Sequence, residues 1–272
     1  MTEDTFTPED PFADYGRLGA VIITDINNQV SLVAVRKLIK SIQNTESALA
    51  YIIMQATTPE TLDYDLDQFG MDRSFWSYPK KGETTVDFAS GLRLTGYAAQ
   101  DQNKVIACAV SHMRAWAILD LFRSDVGEGG VVLEHDALFV KKLTNQTATS
   151  LRRQDGVIGL NSPMNATRRS SIYHQHVLDE ASTNIRTYTD EDGTQRRIVQ
   201  APWVDDDRKV PQGIAGGSAY YIGLNAIQAA FENIKQYGIW PNDAMLCRQL
   251  ARCYQVFPYL TQVQGTPSTT QG

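Results

Sequence analysis

The chain is 272 residues long, 42% hydrophobic and 21% charged, which fits one large α/β domain or two small ones and excludes a disordered or fibrous chain. With 25 Lys+Arg against 31 Asp+Glu the formal charge is -6, which argues against a general nucleic-acid binder. Cys108, Cys247 and Cys253 show no C-x-x-C spacing and leave an odd thiol, which suits reduced side chains in a cytoplasmic compartment.

In chain order, residues 1–17 read as an extended acidic arm that lacks the basic-then-apolar pattern of a signal or transit peptide. Residues 19–24 read as a short buried strand, broken by Asp25-Ile26-Asn27-Asn28. The apolar positions Leu32, Val35, Leu38, Ile39 and Ile42 then fall at helical spacing, and 50–54 read as a second apolar strand. Strand, helix, strand is the unit of a mainly parallel sheet. Such sheets bind ligands beyond the carboxyl ends of their strands, which nominates residues 24–28, Thr24 among them, and the edge Gln55-Ala56-Thr57. Ordinary polar loops are the plain alternative at both places.

Between 63 and 102 the pattern is irregular and reads as loops and short elements. Asn103 can cap a helix over 104–122, with Ile106, Val110, Met113, Ala117 and Leu121 on one face and His112, Trp116 and Leu119 on the adjoining one. Gly127-Glu128-Gly129-Gly130 ends that helix with flexible backbone and leads into a strand over 131–133. The glycines precede the strand, so they are not a dinucleotide fingerprint. No uninterrupted apolar run reaches the roughly 18 residues of a membrane helix. The sequons at Asn145 and Asn165 therefore carry no weight in a chain read as cytoplasmic.

Glu134-His135-Asp136 stands at the carboxyl end of the 131–133 strand, with apolar sequence on both sides. Period-2 geometry sends Glu134 and Asp136 to one side and His135 to the other. Two carboxylates on one side can hold a hard divalent cation, or a ribose hydroxyl together with one metal. A strand end carrying solvated charges, or a glutamate paired to an arginine, is the competing reading. Three adjacent ionisable groups inside apolar sequence are costly to place unless something binds them.

IACAVSH at 106–112, followed by Trp116, resembles the G-C-x-x-S-H-x-x-x-W helix of glycosyltransferase family 25. VLEHDA at 132–137 is similar to that family's I-L-E-D-D-A segment, its version of the D-x-D motif, with His135 in place of an acidic residue. GIAGGSAYYI at 213–222 resembles its G-T-x-A-Y-x-I strand, with an altered start at Gly216-Gly217-Ser218. Pro241-Asn242-Asp243 resembles its P-x-D, and Phe257-Pro258 with Ser268-Thr269-Thr270 its terminal segments. The family's Arg-rich segment after the first strand has no counterpart at 25–29.

The resemblance implies a GT-A-like single domain over 18–264, with a mainly parallel central sheet flanked by helices and a tail at 265–272. It implies a UDP-sugar donor, a hexose similar to galactose, Mn²⁺ or Mg²⁺ at Glu134 and Asp136, and inverting transfer to a hydroxyl of a glycan or other polymer. Lipopolysaccharide biosynthesis is within its range, and a modified nucleic-acid base as acceptor stays open. Ser111, His112 and Thr24 are expected near the donor. An inverting transfer needs one base for the acceptor hydroxyl, and Asp243 is the candidate; an ordinary helix cap at Asn242 or Asp243 is the alternative. His174 and His176 lack a Cys or acidic partner for zinc. Residues 183–208 read as a mobile lid or a plain surface loop. Two other functions stay open: a nucleotide-sugar or glycan-binding protein without chemistry, and a metal-dependent hydrolase on Glu134, His135 and Asp136.

Overall fold

A computed structural model of the chain describes residues 17–86, 93–95, 102–123, 128–162, 174–179, 184–200, 214, 216–242, 245–246 and 253–265. The arm before residue 17 and the tail after 265 lie outside the described residues. Strand β1 (Leu18–Thr24), helix α1 (Gln29–Asn44) and strand β2 (Leu49–Gln55) form the expected unit, with β1 and β2 parallel. Every β1 residue is buried, because helices cover both of its faces, which is why it reads as a continuous apolar run. Asn28 caps α1, its side chain accepting from the Val30 and Ser31 N–H groups.

The remaining elements are α2 (Leu62–Asp67), β3 (Thr84–Val86), β4 (Arg93–Thr95), α3 (Gln102–Arg123), β5 (Gly130–Glu134), β6 (Ala137–Phe139) and α4 (Asn145–Arg152). They continue with β7 (Val157–Gly159), a short α5 (174–178), β8 (Asn184–Thr189), β9 (Gln195–Gln200), β10 (Ala219–Ile222), α6 (Leu224–Tyr237), β11 (Cys253–Phe257) and β12 (Thr261–Val263). Eight strands make one sheet in the order β2-β1-β5-β10-β7-β11-β9-β8. It is parallel across β2, β1 and β5; β10 runs antiparallel to β5 and β7, β11 parallel to β7, and β9 antiparallel to β11 and β8. The expected α/β domain with one large sheet between helices is the observed architecture, parallel on the β1 side and mixed beyond β5.

Side-chain parity sorts the core into two layers. Val21, Ile23 and Val132 face α3, α6 and α2, while Leu18, Ala20, Ile22, Val131 and Leu133 face α1 and α4. Helix α3 is buried on more than one face through its middle, from Ile106 to Leu119. Its inward side at the carboxyl end is carried by Leu119 and Phe122, so Leu121 points out, 66% exposed, against the sequence expectation. The helix begins at Gln102, so Asn103 lies in its first turn instead of capping it, and its side-chain oxygen accepts from Arg73 at 2.8 Å. By length and a mean hydropathy of 1.5, α3 could also cross a membrane, but 61% of that window is buried within the protein.

Of the expected lid at 183–208, the described residues 184–200 are mostly sheet. Strands β8 and β9 form a hairpin, and Asp190-Glu191-Asp192-Gly193 makes its turn. The polar sequence misled because one ion pair within it is internal, while Glu191 and Asp192 in the turn are exposed. Arg196 pairs with Asp190, both buried, and Asp190 also accepts from Thr144 (2.6 Å) and Thr147 (2.8 Å) at the start of α4. Residues 201–213, with the other acidic run, lie outside the described residues.

Candidate functional site

Strand β5 lies between β1 and β10, inside the sheet, and ends in the turn His135-Asp136, after which β6 leaves the main sheet to pair with β12. Just past β12, Gln264 clamps the turn. Its N–H donates to the Asp136 carbonyl at 2.8 Å. Its side-chain amide nitrogen lies 3.0, 3.3 and 3.0 Å from the carbonyls of Ala34, His135 and Ala137.

Glu134 continues the parity of Val132 and therefore meets α3. There His112 Nε2 lies 3.0 Å from Glu134 Oε1, His112 Nδ1 lies 2.8 Å from Tyr220 Oη, and Trp116 Nε1 donates to Tyr220 Oη at 2.8 Å. Donor chemistry orders the chain. A carboxylate only accepts, so Nε2 carries a proton; in the singly protonated tautomer Nδ1 accepts from the Tyr220 hydroxyl, which accepts from Trp116. Three of these groups come from buried positions: Trp116, His112 on α3 one turn earlier, and Tyr220 on β10. Glu134 is the end that reaches solvent, with 28% of its side chain exposed. Burial alone would raise its carboxyl, but the His112 hydrogen bond and the charges of His112 and His135 outweigh it and hold the group below the usual range.

Asp136 behaves oppositely. Burial, and then the Glu134 charge, push its carboxyl up to about 7, and its Oδ1 is buried without a hydrogen-bond partner among the described residues. His135 is lowered by burial against the pull of Glu134 and Asp25. Asp25, just past β1, thus belongs to the same cluster; its Oδ1 accepts from the Asn27 N–H at 3.0 Å and from Gln55 at 3.3 Å. At the end of β1, Thr24 is fully buried and its hydroxyl has no partner among the described residues. An ion held at Glu134 and Asp136 would relieve the repulsion between the two carboxylates and satisfy the orphaned Oδ1, so these residues fit a hard divalent cation.

The other expected residues are placed as follows. Ser111 donates to Ala107 O and accepts from the Thr57 N–H, both at 2.9 Å, which ties α3 to the loop after β2. Arg114 reinforces that junction through Gln55 O, Thr57 and Asp65. His174 and His176 are engaged separately, by Tyr259 and by the Gln200 carbonyl, so they do not form a pair. Asp243 lies outside the described residues. Gln264 went unrecognised in sequence; Cys108, Trp116 and Tyr220 were named within family-like segments but given no role, so the stripe Cys108, His112, Trp116 was not seen as a single feature. The stripe's spacing of four residues was the signal that could have found it. The chain matches no family model, and no curated protein sequence matches it.

Proposed function

We propose that this protein is a nucleotide-sugar-dependent glycosyltransferase, similar to family 25. In this reading it moves a hexose from a UDP-sugar to a hydroxyl of a glycan or other polymer. One observation carries the reading. The residues of three separate resembling segments, His112 and Trp116, Glu134, and Tyr220, meet in a single hydrogen-bond chain that ends on the carboxylate at the close of β5.

Glu134 and Asp136 would hold Mn²⁺ or Mg²⁺, and the ion would supply Lewis-acid neutralisation of the charge that builds on a departing nucleoside diphosphate. The chain's own residues do the rest. His112, fixed by Tyr220, keeps Glu134 ionised and oriented; Thr24 offers an uncommitted hydroxyl at the neighbouring strand end; Asp243 is the proposed base for the acceptor hydroxyl. A second reading, a nucleotide-sugar-binding protein without transfer, draws on His135, which stands where the resemblance expects an acid and whose imidazole pKa is lowered by burial.

Thermal-shift titration with UDP, GDP and CMP, each with Mn²⁺ and with EDTA, tests the proposal. Ligand at about 100 times its Kd stabilises the fold by about 2.7 kcal/mol, a rise of several degrees. A Mn²⁺-dependent shift with UDP that is lost in Asp136→Asn is expected. No shift with any nucleotide sinks the reading, and UDP binding without transfer or donor hydrolysis in a broad acceptor screen selects the second.

A further inference from the structure

We propose a second cation site, for Zn²⁺ or a similarly thiophilic divalent ion, formed by Cys108 and His112 of α3 together with Glu134 of β5. Cys108 and His112 are four residues apart, so the helix stacks their side chains on one face, and Glu134 approaches that face from the strand. One ligand atom from each of the three lies within 4.8 Å of the other two. Bond lengths of about 2.3 Å to sulfur and about 2.0–2.2 Å to nitrogen or oxygen place tetrahedral ligands roughly 3.5 Å apart. The cluster therefore closes around an ion with movements of about an ångström.

The donor set selects the ion. A thiolate and an imidazole with one carboxylate favour zinc-like cations over the oxygen-seeking ions expected at Asp136. Three protein ligands leave a fourth position for water or an incoming group, on the side where Glu134 is partly exposed. Binding releases the Cys108 thiol proton. The imidazole proton moves from Nε2 to Nδ1, so Nε2 can donate its lone pair to the ion. Tyr220 Oη, with two lone pairs, then accepts from both His112 and Trp116. Such backing of a ligating histidine is what fixes its tautomer in metal sites. Because Glu134 is shared, an ion here draws it away from the Asp136 turn, so Zn²⁺ and Mn²⁺ compete.

The test uses the intact chain without nucleotide or sugar, so its failure is distinct from failure of the transferase reading. Co²⁺ titration of metal-free protein is expected to give a near-ultraviolet thiolate-to-cobalt absorption that saturates at about one equivalent. Zn²⁺ is expected to abolish it, Cys108→Ser to remove it with native circular dichroism, and Asp136→Asn to retain it. Tyr220→Phe keeps all three ligands and should weaken the ion by about 10–100-fold. On the unaltered protein, Zn²⁺ should protect Cys108 from alkylation, read by peptide mass mapping, which needs no variant to fold. Absence of the absorption, its persistence in Cys108→Ser, or undiminished alkylation under saturating Zn²⁺ overturns the proposal.

Discussion

Asp136 and Glu134 sit two residues apart, yet their surroundings drive their carboxyls in opposite directions, and the consequences separate by pH. The Asp136 carboxyl rises from 3.8 to about 7 on folding. Between those values the folded chain keeps a proton that the unfolded chain has lost, so stability falls as pH climbs through that window. Glu134 is depressed, so its contribution is present above the ordinary carboxyl range and is lost as pH drops below it. In EDTA at pH 8, Asp136→Asn is therefore expected to unfold at higher urea than the unaltered protein. The gap should close as the pH is lowered toward about 4. A variant equally or less stable at pH 8 would show that the buried carboxyl carries no such penalty. The carboxylate pair was legible in the sequence because ionisable groups inside an apolar run demand a reason. Their sides were less so: strict alternation holds for Glu134, which meets α3, but stops at the turn that carries Asp136. Tyr220 was hidden because its place beside His112 depends on cross-strand register, with Tyr220 opposite Val132.

At the level of elements, two segments, one read as a flexible stop and the other as a mobile lid or surface loop, are closely packed where the structure describes them. Gly127 to Gly130 looked like a flexible stop after α3, yet a Cβ on Gly129 would lie 1.8 Å from the Ile222 carbonyl oxygen, and one on Gly130 2.4 Å from Leu119 Cδ2. The need there is for close approach of β5 to β10 and α3. Gly129→Ala meets backbone that cannot swing aside, so a loss of about 1–3 kcal/mol or more is expected in urea unfolding. An unchanged midpoint would mean that the strands shift freely. The β8–β9 hairpin was equally opaque, since a run of charges ordinarily signals a solvated loop. Arg196 instead lies inside, donating to Asp190 and to the carbonyls of Pro258 (3.1 Å) and Lys142 (3.3 Å). Arg196→Met leaves the Asp190 charge buried and unpaired, which is expected to cost about 3–5 kcal/mol. A loss under 1 kcal/mol, the size of a surface pair, would place this hairpin in solvent.

Across the whole molecule, the βαβ start and the long α3 were readable because their periodicity is local. The strand order was not, because β10 joins β5 to β7 from far along the chain. The candidate site inherits that non-locality: it draws on the ends of β1 and β5, on α3, on β10 and on the segment after β12. Its last tie is Gln264, which reaches Ala34 across 230 residues of sequence while also holding the backbone on either side of Asp136. Gln264→Ala removes a donor shared by three carbonyls, at a cost of about 1–3 kcal/mol if they stay buried. The main sheet does not contain β12, so its strands should remain paired, and far-ultraviolet circular dichroism should be unchanged. The carboxylate turn, however, would lose the clamp that fixes where Asp136 points. Groups that orient metal ligands are worth about 10–100-fold in affinity. The Mn²⁺-dependent shift with UDP is therefore expected to require at least about tenfold more Mn²⁺ in this variant than in the unaltered chain. A shift with unaltered Mn²⁺ dependence would show that β5 and β6 alone hold the turn, and that closure by the chain's far end serves stability and not the site.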